Sequence, residues 1–321
     1  MVVIAPTLPE PTAVLWRVAG CYDRSMPELP EVETIVAGLS RRLTGQTIDG
    51  VYLTRGDVVH GVPVPLCAAL HGRRVVGVSR VGKYLRLDTD GTLGLRIHLG
   101  MSGRLTVVDR GEPVAVHTHL RLTFRRSRSE LRFCDPRRFG GIWLVNGNES
   151  TAGDWLGRRL PPAGVDPLVV DAATFTRLMN RSRQIKAALL DQRILGGVGN
   201  IYCDEALHRA RIHPLTPASR LTTNDVRRLH DALRRVLTEA IRAGGSSISD
   251  YRTADGASGS FQHKHRVYAR AGQPCRRCRT LIIRTTVAGR GTFLCPACQR
   301  LPANSAPVRR DKRQRQERLG D

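Results

Sequence analysis

The sequence lacks long apolar runs and internal repeats, and it has too few acidic residues to balance its basic ones. Of its 321 residues, 28 are Asp or Glu and 51 are Lys or Arg, which leaves a formal net charge of +23. No apolar run is long enough to cross a bilayer. The VAGC at residues 18–21 looks like a lipoprotein cleavage site, but the segment before it lacks a basic start and is interrupted by prolines. We therefore expect a soluble, cytoplasmic protein of two domains without a membrane partner.

The excess of positive charge favours a polyanionic partner, because lysines and arginines that contact phosphates release counterions. An arginine-rich composition set by a GC-rich genome would produce the same count. Since the basic residues are spread along the chain, charge alone indicates nucleic acid without defining a binding surface.

The cysteines do not form a disulfide framework. Four are scattered, and the other four form two pairs, each separated by two residues: Cys275 and Cys278, Cys295 and Cys298. This spacing is typical of a zinc ribbon in a reducing compartment. Four thiolates fill a tetrahedral shell and leave no position for a catalytic water, so one structural Zn²⁺ is predicted, with a redox dithiol as the alternative.

The apolar spacing divides the chain into a β-rich part and an α-helical part. Helical periodicity predicts a first helix from Glu31 to Leu43, and period-two alternation predicts an antiparallel β domain from about Thr47 to Val145. Beyond a turn-rich linker, QIKAALLDQ and IYCDEALHRAR are helical in pattern, and a longer amphipathic helix ends at a pair of glycines. The predicted fold class is α+β.

Several glycine-containing motifs display residues that suit DNA. In LGGVGNIY three glycines precede Asn200 at a helix start, whose free N–H groups suit an anion, although an ordinary interhelical turn is the alternative. AGRGTF places Arg290 where a hairpin tip could reach a phosphate. HLGMSGR and DPRRFGG carry Met101, Arg137 and Phe139 beside glycines. Core packing is the default for such apolar side chains, whereas an apolar residue beside arginines on a loop suits insertion into a base stack.

The stretch SMPELPEVET places Pro27 next to Glu28. If Met26 is the initiator and is removed, Pro27 becomes a free secondary amine with a pKa of about 8, which can attack an electrophilic carbon and form an iminium ion. The adjacent carboxyl group could then move protons at the same centre. The alternative is that these acidic residues only stand at the positive end of a helix.

These motifs occur together, in the order MPELPEVET, GKYL, HLGMSG, DPRRFGG, GGVGNIY and the four-cysteine ribbon. Over residues 26–300 the chain therefore resembles the bacterial formamidopyrimidine-DNA glycosylases, which are 8-oxoguanine DNA glycosylases and AP lyases. The resemblance implies an N-terminal antiparallel β-sandwich with flanking helices, and a C-terminal helical domain with a helix-two-turn-helix and a zinc ribbon. The organisation that follows is: residues 1–25 an extension, 26–150 the catalytic β-sandwich domain, 151–170 a linker, 171–260 the helix-two-turn-helix DNA-binding domain, 261–300 the zinc ribbon, and 301–321 a basic disordered tail.

The resemblance also assigns a catalytic set by motif. It implies that Pro27 is the nucleophile that attacks C1′ of the damaged nucleotide and that Glu28 is the acid–base group that helps open the sugar ring. Glu31, in the same motif, would support the site. Lys83 in GKYL and Arg290 in the ribbon would complete the set by contacting phosphates.

Six further residues match DNA-binding positions of the family. His98 would lie near the lesion phosphates, Asn200 would bind a phosphate, and Lys186 would lie near the lesion. The remaining three would fill the gap left by the extruded base and inspect the opposite cytosine: Met101, Arg137 and Phe139.

The implied reaction is excision of oxidised purines (8-oxoguanine and formamidopyrimidines) from double-stranded DNA, followed by β- and δ-elimination, in base excision repair. A monomer at the bacterial nucleoid would perform it without a redox or nucleotide cofactor. One alternative is an endonuclease VIII-like glycosylase for oxidised pyrimidines, although PELPE and the Met101, Arg137, Phe139 set favour the first family. Another is a non-catalytic zinc-ribbon binder of damaged DNA, which would have no use for a free Pro27.

The position of Pro27 departs from the family pattern. Residues 1–25 precede the Met-Pro-Glu, so the nitrogen of Pro27 is an amide as the sequence is written, and an amide cannot form an iminium ion. We expect translation to begin at Met26, with residues 1–25 a mis-assigned start. A processed leader and an inactive paralogue are the alternatives.

Overall fold

A computed structural model of the chain describes residues 26–60, 63–146, 154–155, 158–159, 164–248 and 251–302. The expected extension at 1–25, most of the linker and the tail beyond residue 302 lie outside the described residues. The helices of the described part are α1 (Leu29–Leu43), α2 (Pro63–Leu70), α3 (Ala172–Met179), α4 (Ile185–Leu190), α5 (Asn200–Ala210) and α6 (Thr223–Arg242). The strands are β1 (Ile48–Leu53), β2 (Val59–His60), β3 (Val75–Val81), β4 (Tyr84–Thr89), β5 (Leu93–His98), β6 (Arg104–Asp109), β7 (Thr118–Phe124), β8 (Ser129–Cys134), β9 (Gly141–Asn146), β10 (Asp154–Trp155), β11 (Arg158–Arg159), β12 (Ile283–Val287) and β13 (Arg290–Leu294).

Two sheets in the N-terminal half share one apolar core. Their strand orders are β1-β7-β8-β6 and β2-β9-β5-β4-β3. Along β4, buried Leu85 and Leu87 alternate with partly exposed residues, which is the period-two pattern of a sheet with one buried face. Leu122 and Phe133 of the other sheet belong to the same core. The two sheets therefore form the expected sandwich.

The predicted antiparallel sandwich is confirmed, and the structure differs from the sequence prediction in two local details. Helix α2 interrupts the strands, and β2 pairs with β9 in parallel, with Val59 opposite Ile142. Both elements escaped prediction for a physical reason. A two-residue strand is too short to show a period, and PVPLCAAL has almost no polar face from which helical periodicity could be read.

Helix α1 connects the sandwich core with the helical core. Its first residue, Leu29, packs in the core formed by α3 to α6, whereas Val32 and Ile35 pack in the sandwich core. Conversely, Tyr251 belongs to the C-terminal half of the chain but packs in the sandwich core. The helix begins two residues before the predicted start, with Pro30 in its first turn, where a missing N–H costs no hydrogen bond. The residues just before α1 consequently lie at the junction of the two cores.

The ribbon hairpin of β12 and β13 lies beside α5. Its two-residue turn has positive φ at both positions, 52° at Ala288 and 72° at Gly289, which matches the twist of a tight hairpin. Arg290 follows this turn directly, as its motif predicted. Within the described residues, no helix is both long and apolar enough to span a membrane.

Candidate active site

The carboxylate of Glu28 lies at the N-terminus of α5. It accepts hydrogen bonds from the backbone N–H groups of Ile201 (2.9 Å) and Tyr202 (3.3 Å). A helix distant in sequence, as well as α1, therefore presents its partially positive end to this carboxylate. Burial raises the pKa of Glu28, while Lys83 and the α5 N–H groups act in the opposite direction. A buried carboxyl group whose pKa is raised is suited to accept and donate protons.

Glycines of the GGVGN turn permit this close approach. A Cβ atom at Gly199 would lie 2.2 Å from Cδ of Glu28, and one at Gly197, whose φ is +97°, would lie 2.8 Å from Cβ of Leu29. The backbone N–H of Leu29 donates to the carbonyl of Gly197 (3.0 Å). The anion at this helix start is thus the Glu28 carboxylate of the protein itself.

Glu31 connects Glu28 to the helical domain. Its Oε2 accepts from the backbone N–H of Glu28 (2.9 Å), and its Oε1 accepts from the Tyr202 hydroxyl and from the backbone N–H of Ser246 (2.7 Å). Burial, followed by the neighbouring Glu28, raises the pKa of Glu31 to about 7, although these hydrogen bonds lower it. Tyr202 and Ser246 were not predicted as site residues. The available signal was Tyr202 within GGVGNIY, because a buried tyrosine hydroxyl needs a partner.

Lys83 is the cation beside this carboxylate pair. It lies in the turn between β3 and β4, next to Gly82, whose added Cβ would lie 3.6 Å from Cα of Gly196. Burial lowers the pKa of Lys83, Glu28 opposes that shift, and Arg290 reinforces it. Three separate segments of the chain therefore bring predicted catalytic residues within electrostatic range of one another.

His98 is the last residue of β5, and burial together with the nearby Lys83 lowers its pKa. Its Nδ1 accepts from the backbone N–H of Gly100 (3.1 Å), so the proton of the neutral ring is on Nε2. Burial, followed by Lys83, lowers the pKa of His98 to about 4. At neutral pH this ring can donate one hydrogen bond but carries no positive charge.

The two loops that carry the candidate base-inserting residues are bonded to each other. Asp135 accepts hydrogen bonds from the Ser102 hydroxyl and from the N–H of Gly140 (2.7 Å). Gly100, with φ +58°, lies so close to the other loop that an added Cβ would be 2.4 Å from the carbonyl carbon of Phe139. The loop between β5 and β6 is thereby fixed against the loop between β8 and β9.

These loops leave an aromatic and a cationic side chain available to a ligand. Phe139 is 59% exposed and Met101 is partly exposed, so the default of core packing does not apply to them. The guanidinium of Arg137 lies 5.4 Å from the Phe139 ring centroid, and its buried Nε and Nη2 have no hydrogen-bond partner in the described part of the chain. Arg138, by contrast, is ion-paired with Asp57. Buried donors without partners are uncommon in folded proteins, so these two need an explanation.

Lys186 does not lie at the surface. Its side chain is 0% exposed, and its Nζ donates to Asp204 Oδ1 (2.6 Å), Thr292 Oγ1 (2.8 Å) and the carbonyl of Gly291 (3.4 Å). An ammonium group has three N–H donors, and all three are used within the protein. In the described structure Lys186 ties the helical domain to the ribbon hairpin, and the expectation that it binds DNA near the lesion stays a prediction.

The two candidate phosphate ligands of the C-terminal half are neighbours. Asn200 is the first residue of α5, and its Nδ2 donates to the carbonyl of Gly291 (2.9 Å). Arg290 precedes Gly291 and is exposed at the hairpin turn. The start of α5 and the tip of the ribbon consequently form one polar edge beside Glu28.

The ribbon cysteines form one cluster, with their four sulfur atoms all within 4.8 Å of one another: Cys275, Cys278, Cys295 and Cys298. Four thiolates without a carboxylate or an imidazole among them suit a closed tetrahedral zinc site. The ribbon holds one structural Zn²⁺, whose role is to stabilise the fold.

Three protein families match successive parts of the chain. The Formamidopyrimidine-DNA glycosylase N-terminal domain matches residues 26–142, the Formamidopyrimidine-DNA glycosylase H2TH domain matches residues 163–252, and the zinc finger found in FPG and IleRS matches residues 272–301.

Whole-chain relatives agree with these matches. The formamidopyrimidine-DNA glycosylase of Heliobacterium modesticaldum is 45% identical over 280 residues, covering 86% of this chain and 100% of the relative. That of Chloroflexus aurantiacus is 43% identical over 278 residues, covering 85% and 98%. A solved complex of Lactococcus lactis Fpg with DNA containing an abasic site superposes with a TM-score of 0.76 at 33% identity, covering 85% of this chain and 100% of that one.

Together these matches identify a DNA-repair glycosylase built on the sandwich, helical domain and ribbon described above. The chain belongs to the formamidopyrimidine-DNA glycosylase family. Its activity is that of a DNA-formamidopyrimidine glycosylase and DNA-(apurinic or apyrimidinic site) lyase in base excision repair.

Proposed function

We propose that the substrate is double-stranded DNA containing an oxidised purine, processed at Pro27 and Glu28 by a monomer at the bacterial nucleoid. The observation that carries this proposal is the buried Glu28 carboxyl, whose pKa is raised, next to Pro27 at the junction of the two cores. Solved relatives from Lactococcus lactis bind DNA with an abasic site or with Fapy-dG. We infer the same lesions for this chain because it belongs to the same family and superposes with these complexes over most of its length.

The proposed reaction needs Pro27 as a free secondary amine. Its nitrogen lone pair attacks C1′, the bond from C1′ to the base breaks, and the base leaves with a proton. Glu28 donates a proton to the ring oxygen as the C1′–O4′ bond breaks, which gives an iminium ion between Pro27 and the opened sugar. Loss of a C2′ proton then expels the 3′ phosphate, and a second elimination expels the 5′ phosphate. The iminium accepts the electron pair in these steps, so no redox cofactor takes part.

Proton transfer by Glu28 depends on Glu31 and Lys83. Glu31 accepts a hydrogen bond from the backbone N–H of Glu28, and the charge of Lys83 offsets part of the rise that burial causes in the pKa of Glu28. Because both neighbours are themselves partly or fully buried, their electrostatic effect is weakly screened by solvent. We assign Glu31 to supporting Glu28 and Lys83 to holding a lesion phosphate.

DNA would be held by contacts that do not depend on sequence. Arg290, Asn200 and the neutral His98 are the side chains that we propose as hydrogen-bond donors to phosphates. The unpaired donors of Arg137 and the exposed Phe139 ring suit the gap left by an extruded nucleotide and the base opposite it. Met101, fixed on the neighbouring loop, would complete this trio.

The experiment is borohydride trapping on a duplex with 8-oxoguanine opposite cytosine. Protein that starts at Pro27 should form a covalent cross-link, and peptide mass analysis should place it on Pro27. Full-length protein carrying residues 1–25 is the matched control and should form none, because its Pro27 nitrogen is an amide. A cross-link from the full-length chain, or none from zinc-loaded protein that starts at Pro27 and binds the duplex, would refute this assignment.

Lesion preference is tested on the same protein. Excision of 8-oxoguanine should exceed excision of thymine glycol under single-turnover conditions. The reverse order would favour the endonuclease VIII-like alternative, and binding without any excision would favour the non-catalytic one.

A further inference from the structure

Helix α5 has one end at the active site and the other end far from it. Three residues of α5 contact the ribbon in succession. Asn200 donates to the carbonyl of Gly291, and Asp204 accepts from the backbone N–H of Phe293 (2.8 Å). In the last turn, Nε2 of His208 lies 3.5 Å from Sγ of Cys275. From Asn200 to His208 the helix rises by about 12 Å. The last turn of α5 therefore lies well away from Glu28.

A cavity of about 390 Å³ opens at this far end, between α5, α6 and the ribbon. Five cationic side chains line it: Arg209, Lys264, Arg266, Arg276 and Arg277. Its two acidic side chains are already engaged. Glu205 accepts hydrogen bonds from the backbone N–H groups of residues 266–268 (2.9 Å each), and Glu239 pairs with Arg209.

The positive surface continues along the exposed side of α6. A second, more open depression shares Glu239 with the first and is lined by three cations, Arg234, Arg235 and Arg242, and by one further carboxylate, Asp231. From Asp231 to Arg242 it follows about 16 Å of helix. We call the two depressions together the far-end groove.

Most cations of the far-end groove are not in ion pairs, and the cations lining it outnumber its three carboxylates, Glu205, Asp231 and Glu239. Six of the cations form no ion pair with another described residue: Lys264, Arg266, Arg277, Arg234, Arg235 and Arg242. The local excess of positive charge acts on Glu239, because Arg209 first, and also Arg266 and Arg235, hold the pKa of its carboxyl below the usual range. The exposed side of α6 also carries Asp231 and Glu239, so it is the excess of cations over carboxylates, and not their exclusive presence, that makes this surface positive.

We propose that the far-end groove binds the phosphate backbone of a second, undamaged DNA segment while the active-site cleft holds the first. Each strand of a duplex places a charge every 3.4 Å or so, so about 16 Å of groove faces roughly five phosphates. Planar guanidinium groups match phosphate geometry. Two DNA segments on one protein allow transfer between them without release into solution. This inference goes beyond excision and rests only on DNA being the partner.

The test replaces Arg234, Arg235 and Arg242 by Gln, which keeps helix propensity on an exposed face. Protein is held on beads by a duplex with an abasic analogue, which occupies the cleft. A fluorescent undamaged duplex is then added, and its capture is measured from about 50 to 200 mM salt.

A matched control removes the same charge elsewhere. Arg125, Arg126 and Arg128 are exposed in the β7–β8 turn of the sandwich, and each is replaced by Gln in the control protein. Both proteins keep residues 303–321, so the tail contributes equally to them.

Wild type and control should capture the second duplex. The α6 variant should capture at least about tenfold less of the second duplex at low salt. The slope of log K against log salt concentration should become shallower by up to about 2.7, since each lost phosphate contact contributes about 0.9. Equal capture by the variant and the control, or no capture by wild type, would overturn the proposal. Excision of 8-oxoguanine by the same preparations reports on the cleft separately. Normal excision with failed capture therefore overturns only the second site.

Discussion

Replacing Lys186 by Met removes one charge of a buried ion pair. Lys186 and Asp204 are both 0% exposed, so no solvent screening reduces their interaction. Without Nζ, the Asp204 carboxylate keeps the N–H of Phe293 but loses its counter-charge. Removing one partner of a buried pair costs about 3–5 kcal/mol of folding free energy. We expect that loss in the Lys186→Met protein at pH 8.

The pH dependence of this loss has a defined sign. Burial already raises the pKa of Asp204 to about 7, against the opposing effect of Lys186. Without the lysine, the folded-state pKa of Asp204 rises further above its unfolded value of about 4. A carboxyl group with a raised folded-state pKa loses stability as pH rises towards that pKa. The difference between variant and wild type should therefore widen as pH rises above about 7.

Chemical unfolding followed by circular dichroism measures the loss, and the double variant Lys186→Met/Asp204→Asn provides the control. Asparagine can still accept from Phe293 but buries no charge, so the double variant should regain more than half of the lost stability. Its affinity for an abasic-analogue duplex, measured by fluorescence anisotropy, should return with stability. Restored stability without restored affinity would show that Lys186 contacts DNA directly, which would refute the structural role assigned here.

Other perturbations test the remaining parts of the site. Glu28→Gln should lower single-turnover excision by about 100-fold or more while anisotropy shows unchanged DNA affinity; unchanged excision would exclude Glu28 as the acid–base group. Tyr202→Phe removes a hydrogen bond that lowers the pKa of Glu31. The limb of the excision pH profile that depends on Glu31 should therefore move to higher pH. Superimposable profiles of variant and wild type would contradict this. His208→Phe removes the ring nitrogen that lies 3.5 Å from the Cys275 sulfur. It should weaken zinc affinity by about tenfold in chelator competition, with His208→Gln intermediate. Equal affinities of all three proteins would show that the contact is irrelevant to the metal. Complete removal of zinc from wild type should abolish duplex binding, because the ribbon tip that carries Arg290 unfolds.

Some tertiary features were accessible to prediction because they depend on short spacing. The hairpin tip at Arg290 follows from a turn sequence, and the zinc cluster from pairs of cysteines two residues apart. By contrast, nothing in DPRRFGG distinguishes its two arginines. Arg138 is ion-paired with Asp57, 81 residues away, whereas Arg137 keeps two donors unpaired, and only the packing of one loop against another separates them.

By itself, the sequence determined the α+β class and the ribbon, because helix and strand periodicity and the spacing within each cysteine pair are local patterns. It also made Pro27 and Glu28 candidates, since the two are adjacent. Only the tertiary structure decided which helix faces the Glu28 carboxylate, since the N–H groups of Ile201 and Tyr202 are more than 170 positions away. It also decided that Lys186 is buried. A lysine in a helical pattern can lie at the surface or in a buried ion pair. Which of the two occurs here depends on how α4 packs against α5, the helix that carries Asp204.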